Sequence, residues 1–436
     1  MSDSSYPRVL VISHNVFSDN TSMGKTLSTF FYGWDKEKIA QLYFHSGVPT
    51  NNICNNFYRI TDIDAIKSIL NKSCSGDVLN EKNIDKTRVS SDDTDGINGI
   101  YNFGRKRLPI IYILRDIVRS ISIKKNKKLY TWLKNFRPEI VFFASGDYEF
   151  PYHIALEIAL EFRIPLVICC FDDYYLFNEN HRLVLGKIRQ KHFMKTVNKT
   201  MHYASHVFTV SDLMAEAYKK LFGKSCSVLY TATYLKEGNA DTNRSGISYL
   251  GGLGLNRDKQ LVDIGLTLKD LNSELIPKYI DVYSGETNAT ILKNMTIENG
   301  ICFHGAVPQD KVANIIEHSI AVIHTESFVE DVKCRVMYSV STKIPDSLAT
   351  GACLLAYGPN DVASIDYLAR NEAAFVASNK EELKQRIKEI FESNELREKI
   401  SANAIALAKR NHDKNKIPVQ VKTVLLNAIS SRYSKI

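Results

Sequence analysis

Ile247-Ser-Tyr-Leu-Gly-Gly-Leu-Gly-Leu-Asn-Arg-Asp-Lys259 is the stretch on which the fold turns. An apolar run breaks into a glycine-rich turn and then a charged segment, the order expected where a buried parallel strand hands over to a helix. The chain opens on the same plan: Arg8-Val-Leu-Val-Ile-Ser13 is a short β-branched run, followed by a polar loop and by Gly24 at a helix start. Strand-like runs recur at Ile140–Ala144, Leu166–Cys170 and His206–Val210, with helical patterns over His153–Phe162 and Met214–Phe222. Beyond the central turn they recur at Tyr279–Tyr283, Gly300–Phe303, Ile320–His324 and Ala352–Ala356. Alternating β and α segments predict doubly wound parallel sheets. Because 436 residues exceed what one core organises, the repeat is read as two domains. The predicted fold is α/β, with two Rossmann-like domains facing each other across a cleft. Expected boundaries are 1–230 for the first domain, with a polar insertion over 71–104, and 246–415 for the second. An amphipathic C-terminal helix over 416–436 either crosses back to the first domain or completes a core.

Hydrophobic residues at 44% and charged residues at 24% are ordinary globular composition and exclude wholesale disorder. The eight cysteines show no C-x-x-C pairing and no Cys/His ligand spacing along the sequence, so free thiols in a reducing compartment are expected. No run of about 18 apolar residues occurs, and no transmembrane helix is predicted. The first residues lack the basic-then-apolar order of a secretion leader. The expected location is cytoplasmic, with the inner face of the cell membrane as the alternative. A net charge of +8 favours an anionic partner. Nucleic acid is not expected, because the basic runs carry no interleaved aromatics.

Gly24-Lys-Thr26 invites a P-loop reading, but that signature needs a glycine where this chain has Asp19. The milder reading has Gly24 opening a helix whose first amides face the cleft and receive an anionic oxygen, against a plain turn glycine. The central turn is more informative. Gly252 and Gly254 let a ligand approach the backbone, and Arg257 offers parallel N–H donors to phosphate oxygens. A solvated charge is the alternative.

Downstream, Ser341-Thr-Lys-Ile-Pro-Asp-Ser-Leu-Ala-Thr-Gly351 precedes a strand and Tyr357-Gly-Pro359. This segment resembles the donor-site helix of retaining GT-B-fold glycosyltransferases, the family-4-like group that includes bacterial surface-polysaccharide enzymes. Phe303-His-Gly-Ala-Val-Pro308 resembles that family's strand and turn at the nucleobase, which adds Val307 to the donor set. Val210–Tyr218 with Val228-Leu-Tyr230 resembles the last unit of its N-domain. The resemblance covers most of the chain, most strongly Ser248 to Pro359. It implies a UDP-sugar donor, with Arg257 and Lys343 on the diphosphate, Ser341 and Thr342 in the donor loop, and Asp346 on ribose hydroxyls. Two departures stand out. The family commonly carries two glutamates eight positions apart; here the second is Asp346 and the first falls on Tyr338. Glu326, at the end of a strand, is a candidate ligand for the donor sugar, against an ordinary surface carboxylate.

In the first half, Ser145-Gly-Asp-Tyr148 and Phe171-Asp-Asp-Tyr-Tyr175 each follow a strand, where open α/β sheets place ligands. Asp147, Asp172 and Asp173 are candidates for acceptor hydroxyls, with helix capping as the alternative. Asp172-Asp173 lacks the Asp-x-Asp spacing of metal-dependent transferases and lies in the wrong half for the donor, so neither metal nor cofactor is expected. Arg105-Lys-Arg107 and Lys124-Lys-Asn-Lys-Lys128 bracket an apolar segment, which reads either as a peripheral membrane contact through 105–128 or as a core helix with solvated ends. The expected function is retaining transfer of a sugar from a nucleotide diphosphate sugar to a hydroxyl of a glycan or lipid-linked glycan. Its rivals are a non-catalytic sugar-binding or scaffold paralogue and a nucleotide-sugar epimerase or phosphorylase, although the Gly-x-Gly-x-x-Gly of an epimerase is missing near the N-terminus.

Overall fold

The computed structural model describes residues 6–71, 73–79, 109–124, 126–176, 184–235 and 244–433. Most of the 71–104 insertion, Arg105–Arg107 and Lys125 lie outside the described residues. The chain divides into two compact units. The first comprises Met1–Thr209, Ala215–Leu229 and Asn415–Ile436, the second Val210–Met214 and Tyr230–Lys414.

The first unit is built on β1 (Val9–Ser13), β2 (Ile39–Tyr43), β3 (Asn56–Arg59), β4 (Asp77–Leu79), β5 (Ile140–Ser145), β6 (Leu166–Cys170), β7 (His206–Thr209) and β8 (Cys226–Val228). They form one sheet in the order β4-β3-β2-β1-β5-β6-β7-β8. Every pairing is parallel except β3 with β4. β1, β5 and β6 are buried along their whole length, as parallel strands covered on both faces require. β2 has no counterpart in the sequence reading, because Gln41 interrupts its apolar run. In the fold Gln41 is fully buried yet satisfied: its amide donates to Ser13 Oγ (2.9 Å) and the Asn15 carbonyl (3.1 Å), and its oxygen accepts from Phe17 N–H (3.1 Å). One glutamine thereby ties the loop after β1 to its neighbouring strand. The apolar segment between the basic runs forms the helix Pro109–Lys124. Its buried Arg119 anchors one side, donating to the carbonyls of Ile60 (2.6 Å) and Phe44 (3.2 Å) and to Asp62. The C-terminal helix Ile417–Tyr433 packs within this unit through Ile417, Val421 and Leu425. Gln420 of that helix donates to the Val228 carbonyl (2.8 Å).

The second unit carries β9 (Ser245–Leu250), β10 (Ile280–Tyr283), β11 (Ile301–Gly305), β12 (Ser319–Thr325), β13 (Cys353–Tyr357) and β14 (Phe375–Ala377). The order is β11-β10-β9-β12-β13-β14, all parallel. Ile247, Val282, Ile323 and Leu355 from the strands pack with Leu261, Ile264 and Leu268 of the helix Arg257–Leu271. Tyr230, expected at the end of the first domain, and residues 231–235, which fall between the two expected domains, belong to this unit. Tyr230 packs on Tyr367 and His412, and Thr233 N–H donates to the His412 carbonyl (2.8 Å). Val210–Met214 joins the same unit, with the Ser211 hydroxyl donating to the Tyr338 carbonyl (2.6 Å). These partners are far apart in the chain, which is why local composition puts the start of the second domain later, at 246.

Candidate functional site

β9 ends at Leu250, and Gly251, Gly252 and Gly254 carry the chain into the helix Arg257–Leu271. Leu253 between them is buried and anchors the turn. Leu255 and Asn256 both adopt positive φ (61° and 59°), so the backbone folds sharply just before the helix. Beta-carbons built on Gly252 and Gly254 would meet nothing within 4 Å, so this backbone borders open space. Gly251 is different: a side chain there would collide with the Lys343 ammonium, which ends against its bare backbone. Tyr249 buttresses the turn by donating to the Gly252 carbonyl (2.6 Å).

Arg257 begins the helix and turns towards the C-terminal end of β12. Nε donates to the Thr325 carbonyl (3.3 Å), and Nη2 to both oxygens of Glu326 (3.2 and 3.0 Å). Nη1 has no hydrogen-bond partner among the described residues. Glu326 is no surface carboxylate, since its side chain is only 4% exposed against 23% for Arg257. Its backbone N–H is fixed on the Tyr357 carbonyl (3.1 Å). Burial raises the Glu326 carboxyl above its ordinary value, with Arg257 and then Lys343 opposing. Burial lowers the Lys343 ammonium, Arg257 adds to that, and Glu326 opposes it. The opposed shifts reflect two cations and one anion sharing a poorly hydrated corner.

His324, which the sequence reading passed over, completes this corner. Its Nε2 lies 3.0 Å from Ser364 Oγ and 3.6 Å from Glu326 Oε1. Burial, reinforced by the charges of Arg257 and Lys343, holds it at about 3, so the imidazole is neutral. The available signal was a histidine in the apolar run of β12, two residues before a carboxylate on the same face.

The other expected donor residues are dispersed. Asp346, in the first turn of the helix Ile344–Thr350, accepts from the Thr233 hydroxyl (2.6 Å). Ser341 accepts at Oγ from Lys343 N–H (3.4 Å) and is half-buried, while Thr342 is exposed. Val307 is half-buried in the turn between β11 and the helix Gln309–His318.

In the first unit, Gly24 is the third residue of the helix Ser22–Thr29 and is buried. A beta-carbon there would press on the Val16 carbonyl (2.6 Å) and Ser18 Cβ (2.8 Å), so this glycine serves close packing. Asp147, beyond β5, accepts from the Tyr112 hydroxyl (3.1 Å), and its carbonyl accepts from Arg189 (2.6 Å). Asp172 is half-buried after β6. Asp173 is buried, and its Oδ1 accepts from Tyr175 N–H (3.1 Å), Leu176 N–H (2.9 Å) and the Tyr218 hydroxyl (2.9 Å). That carboxylate holds the turn after β6.

Residues 280–420 match a family described as "Glycosyl transferase-like". The matched stretch contains Val307, Glu326, Lys343 and Asp346 and begins after Arg257. No curated protein matches the chain in sequence. In structure it is similar to HepE from Anabaena solved with UDP (TM-score 0.63, 11% identity, covering 96% of this chain and 100% of that one). It is also similar to trehalose 6-phosphate synthase from Burkholderia multivorans (TM-score 0.62, 10% identity, 98% and 99% covered). A third likeness is to sucrose-phosphate synthase from Thermosynechococcus elongatus (TM-score 0.60, 9% identity, 97% and 99% covered). These likenesses establish the GT-B fold: two parallel-sheet α/β domains in one chain.

Proposed function

We propose that this chain is a glycosyltransferase that moves a sugar from a UDP-sugar to a hydroxyl of a glycan or lipid-linked glycan, with retention of configuration. The observation that carries the reading is the convergence of Arg257 and Lys343 on the glycine backbone after β9. It lies in the unit whose later part matches the glycosyl transferase-like family. HepE solved with UDP and with UDP-glucose supports UDP as the nucleotide. Retention rests on the family resemblance around Ser341–Gly351.

The diphosphate sits against the turn at Gly252 and Gly254, which border open space. Arg257 donates to it from Nη1 while Glu326 and the Thr325 carbonyl fix the guanidinium plane. Lys343 supplies the second charge. Both neutralise the departing diphosphate, and a preorganised donor of this kind lowers the barrier by about 3–4 kcal/mol. Glu326 retains lone pairs for a sugar hydroxyl. No divalent ion is needed at the diphosphate, so Mg²⁺ or Mn²⁺ added to metal-free protein should not raise the rate; activity that requires either would overturn this. The test of the whole reading is donor hydrolysis across a panel of nucleotide sugars, with Arg257→Ala as control. A second reading, a protein that binds the donor without turning it over, is favoured by Tyr338 at the family's first acidic position and by Asp346 bonded to Thr233. Tight UDP binding without hydrolysis or transfer would select it.

The same reading places the first unit on an anionic lipid surface. Ile110, Leu114, Ile117 and Ile121 of the helix Pro109–Lys124 are exposed at spacings that form one stripe, opposite buried Arg119, with exposed Lys124 and Lys127 at its end. Lys128 contributes less than its sequence position suggested, because it pairs with Asp77. No described helix is long and apolar enough to cross a membrane. Wild-type protein should float with anionic vesicles at low salt, and Ile117→Ser/Ile121→Ser/Lys124→Gln/Lys127→Gln should not. Failure of wild type to float would leave the stripe as a plain surface.

A further inference from the structure

β10 and β11, at the edge of the second sheet, bring together three side chains of different chemistry. Cys302 and His304 are two residues apart on β11 and so share a face. Asp281 of β10 is the register partner of Cys302. The thiol, the imidazole and the carboxylate lie within 4.8 Å of one another, with His304 exposed and the other two half-buried. Chance alignment on a regular ladder would leave the histidine further along the strand. Instead the register shifts between Val282 and Tyr283, so that Tyr283 pairs with Gly305 and His304 is the extra residue of a bulge. Bulges re-aim side chains. This one turns His304 back, with Nε2 2.7 Å from Asp281 Oδ1. The Tyr283 ring stacks on the imidazole (4.7 Å between centroids, 14° between planes) and fixes its plane.

We propose that Asp281, Cys302 and His304 bind a Zn²⁺-class cation at the edge of the second unit, apart from the diphosphate site. One sulfur, one nitrogen and one oxygen ligand form a borderline-soft set that suits Zn²⁺ and its spectroscopic substitute Co²⁺ over Mg²⁺ or Ca²⁺. Tetrahedral zinc holds such ligand atoms about 3.3–3.6 Å apart. The Asp281–His304 contact opens by under about 1 Å to admit the ion between them, and solvent supplies the fourth ligand. As a plain surface ion pair, Asp281–His304 would contribute little and would have no use for the thiol. With the ion bound, edge strand β11 is fastened to β10, and the turn carrying Val307 begins from a fixed point. The inference does not depend on the transferase reading.

The test is Co²⁺ titration of the reduced full-length protein, followed by Zn²⁺ competition and thermal unfolding. One equivalent of Co²⁺ should give a thiolate-to-cobalt charge-transfer band that Zn²⁺ bleaches. Cys302→Ser should lose that band while unfolding, without metal, like wild type. His304→Gln and Asp281→Asn should each weaken Zn²⁺ by about tenfold or more, since losing even a partner behind a ligand costs that much. Zn²⁺ should raise the melting temperature of wild type and not of His304→Gln. A missing band, or one that persists in Cys302→Ser and so arises at Cys74, Cys226 or Cys334, would overturn the site. So would equal Zn²⁺ affinity in all four proteins.

Discussion

The two units start alike, with a strand, a loop and a helix, yet Gly24 in the first and Gly252 and Gly254 in the second do opposite work. Gly24 is surrounded: a beta-carbon there would overlap the Val16 carbonyl and Ser18. The loop before it is filled with the protein's own hydrogen bonds, including Gln41 to Ser13 and Asn15, and Ser18 with Thr50. Gly252 and Gly254 face open space, and two cations approach the same turn. In the first unit the missing side chain lets the protein pack on itself; in the second it leaves backbone for something else to touch. A glycine after a strand therefore says little about ligands until its neighbours are known.

The largest effect expected from breaking this contrast is at Arg257. Arg257→Ala should lower kcat about 100-fold or more. It should also destabilise the second unit by about 3 kcal/mol, because Glu326 is left buried without its cation. Adding Glu326→Gln to that variant should restore the melting temperature and not the activity. Recovery of both would show that Arg257 acts on stability alone.

Next come the glycines themselves. Gly24→Ala should cost about 1–3 kcal/mol through overpacking, read by chemical denaturation. Gly252→Ala should leave stability within about 0.5 kcal/mol while weakening UDP binding. Equal stability losses at the two positions would erase the distinction drawn between the units.

Lys343→Ala should weaken UDP about tenfold, the worth of one charge-assisted contact. Unchanged affinity by calorimetric titration would remove Lys343 from the diphosphate.

The smallest net effect is that of pH. Burial lowers His14 and His206 in the first unit to about 4, and His412 in the second to about 4. The unfolded chain takes up these protons first, so the stability they confer is complete above about pH 6.5 and is lost as pH falls from there towards 4. Asp116 works against this. Burial raises it to about 6, so it favours the folded state as pH falls through that value towards the ordinary carboxylate range. The melting temperature should drop from about pH 7.5 to about pH 5, and His412→Gln should flatten the drop. An equal melting temperature at both values would show that the acid and base contributions cancel.

Much of the architecture was legible in the chain, because a strand buried on both faces must be apolar along its whole length. Arg8–Ser13 became β1, Leu166–Cys170 became β6, and Ala352–Ala356 shifted by one residue to become β13. β2 escaped because a single buried amide satisfied by tertiary partners looks, in sequence, like a polar break. The second unit's start ahead of 246 escaped because Tyr230 and Thr233 are held by Tyr367, His412 and Asp346 from the far end of that unit.

Local chemistry by itself determined the alternation of strands and helices, the glycine turn after β9, and the cations at 257 and 343, since each is written within a few consecutive residues. Only the tertiary structure decided which groups share a site. Glu326 became a buried partner of Arg257, Asp173 a turn-holder, and Asp281 a neighbour of Cys302 and His304, because parallel register and a one-residue bulge bring together side chains that the chain keeps many residues apart.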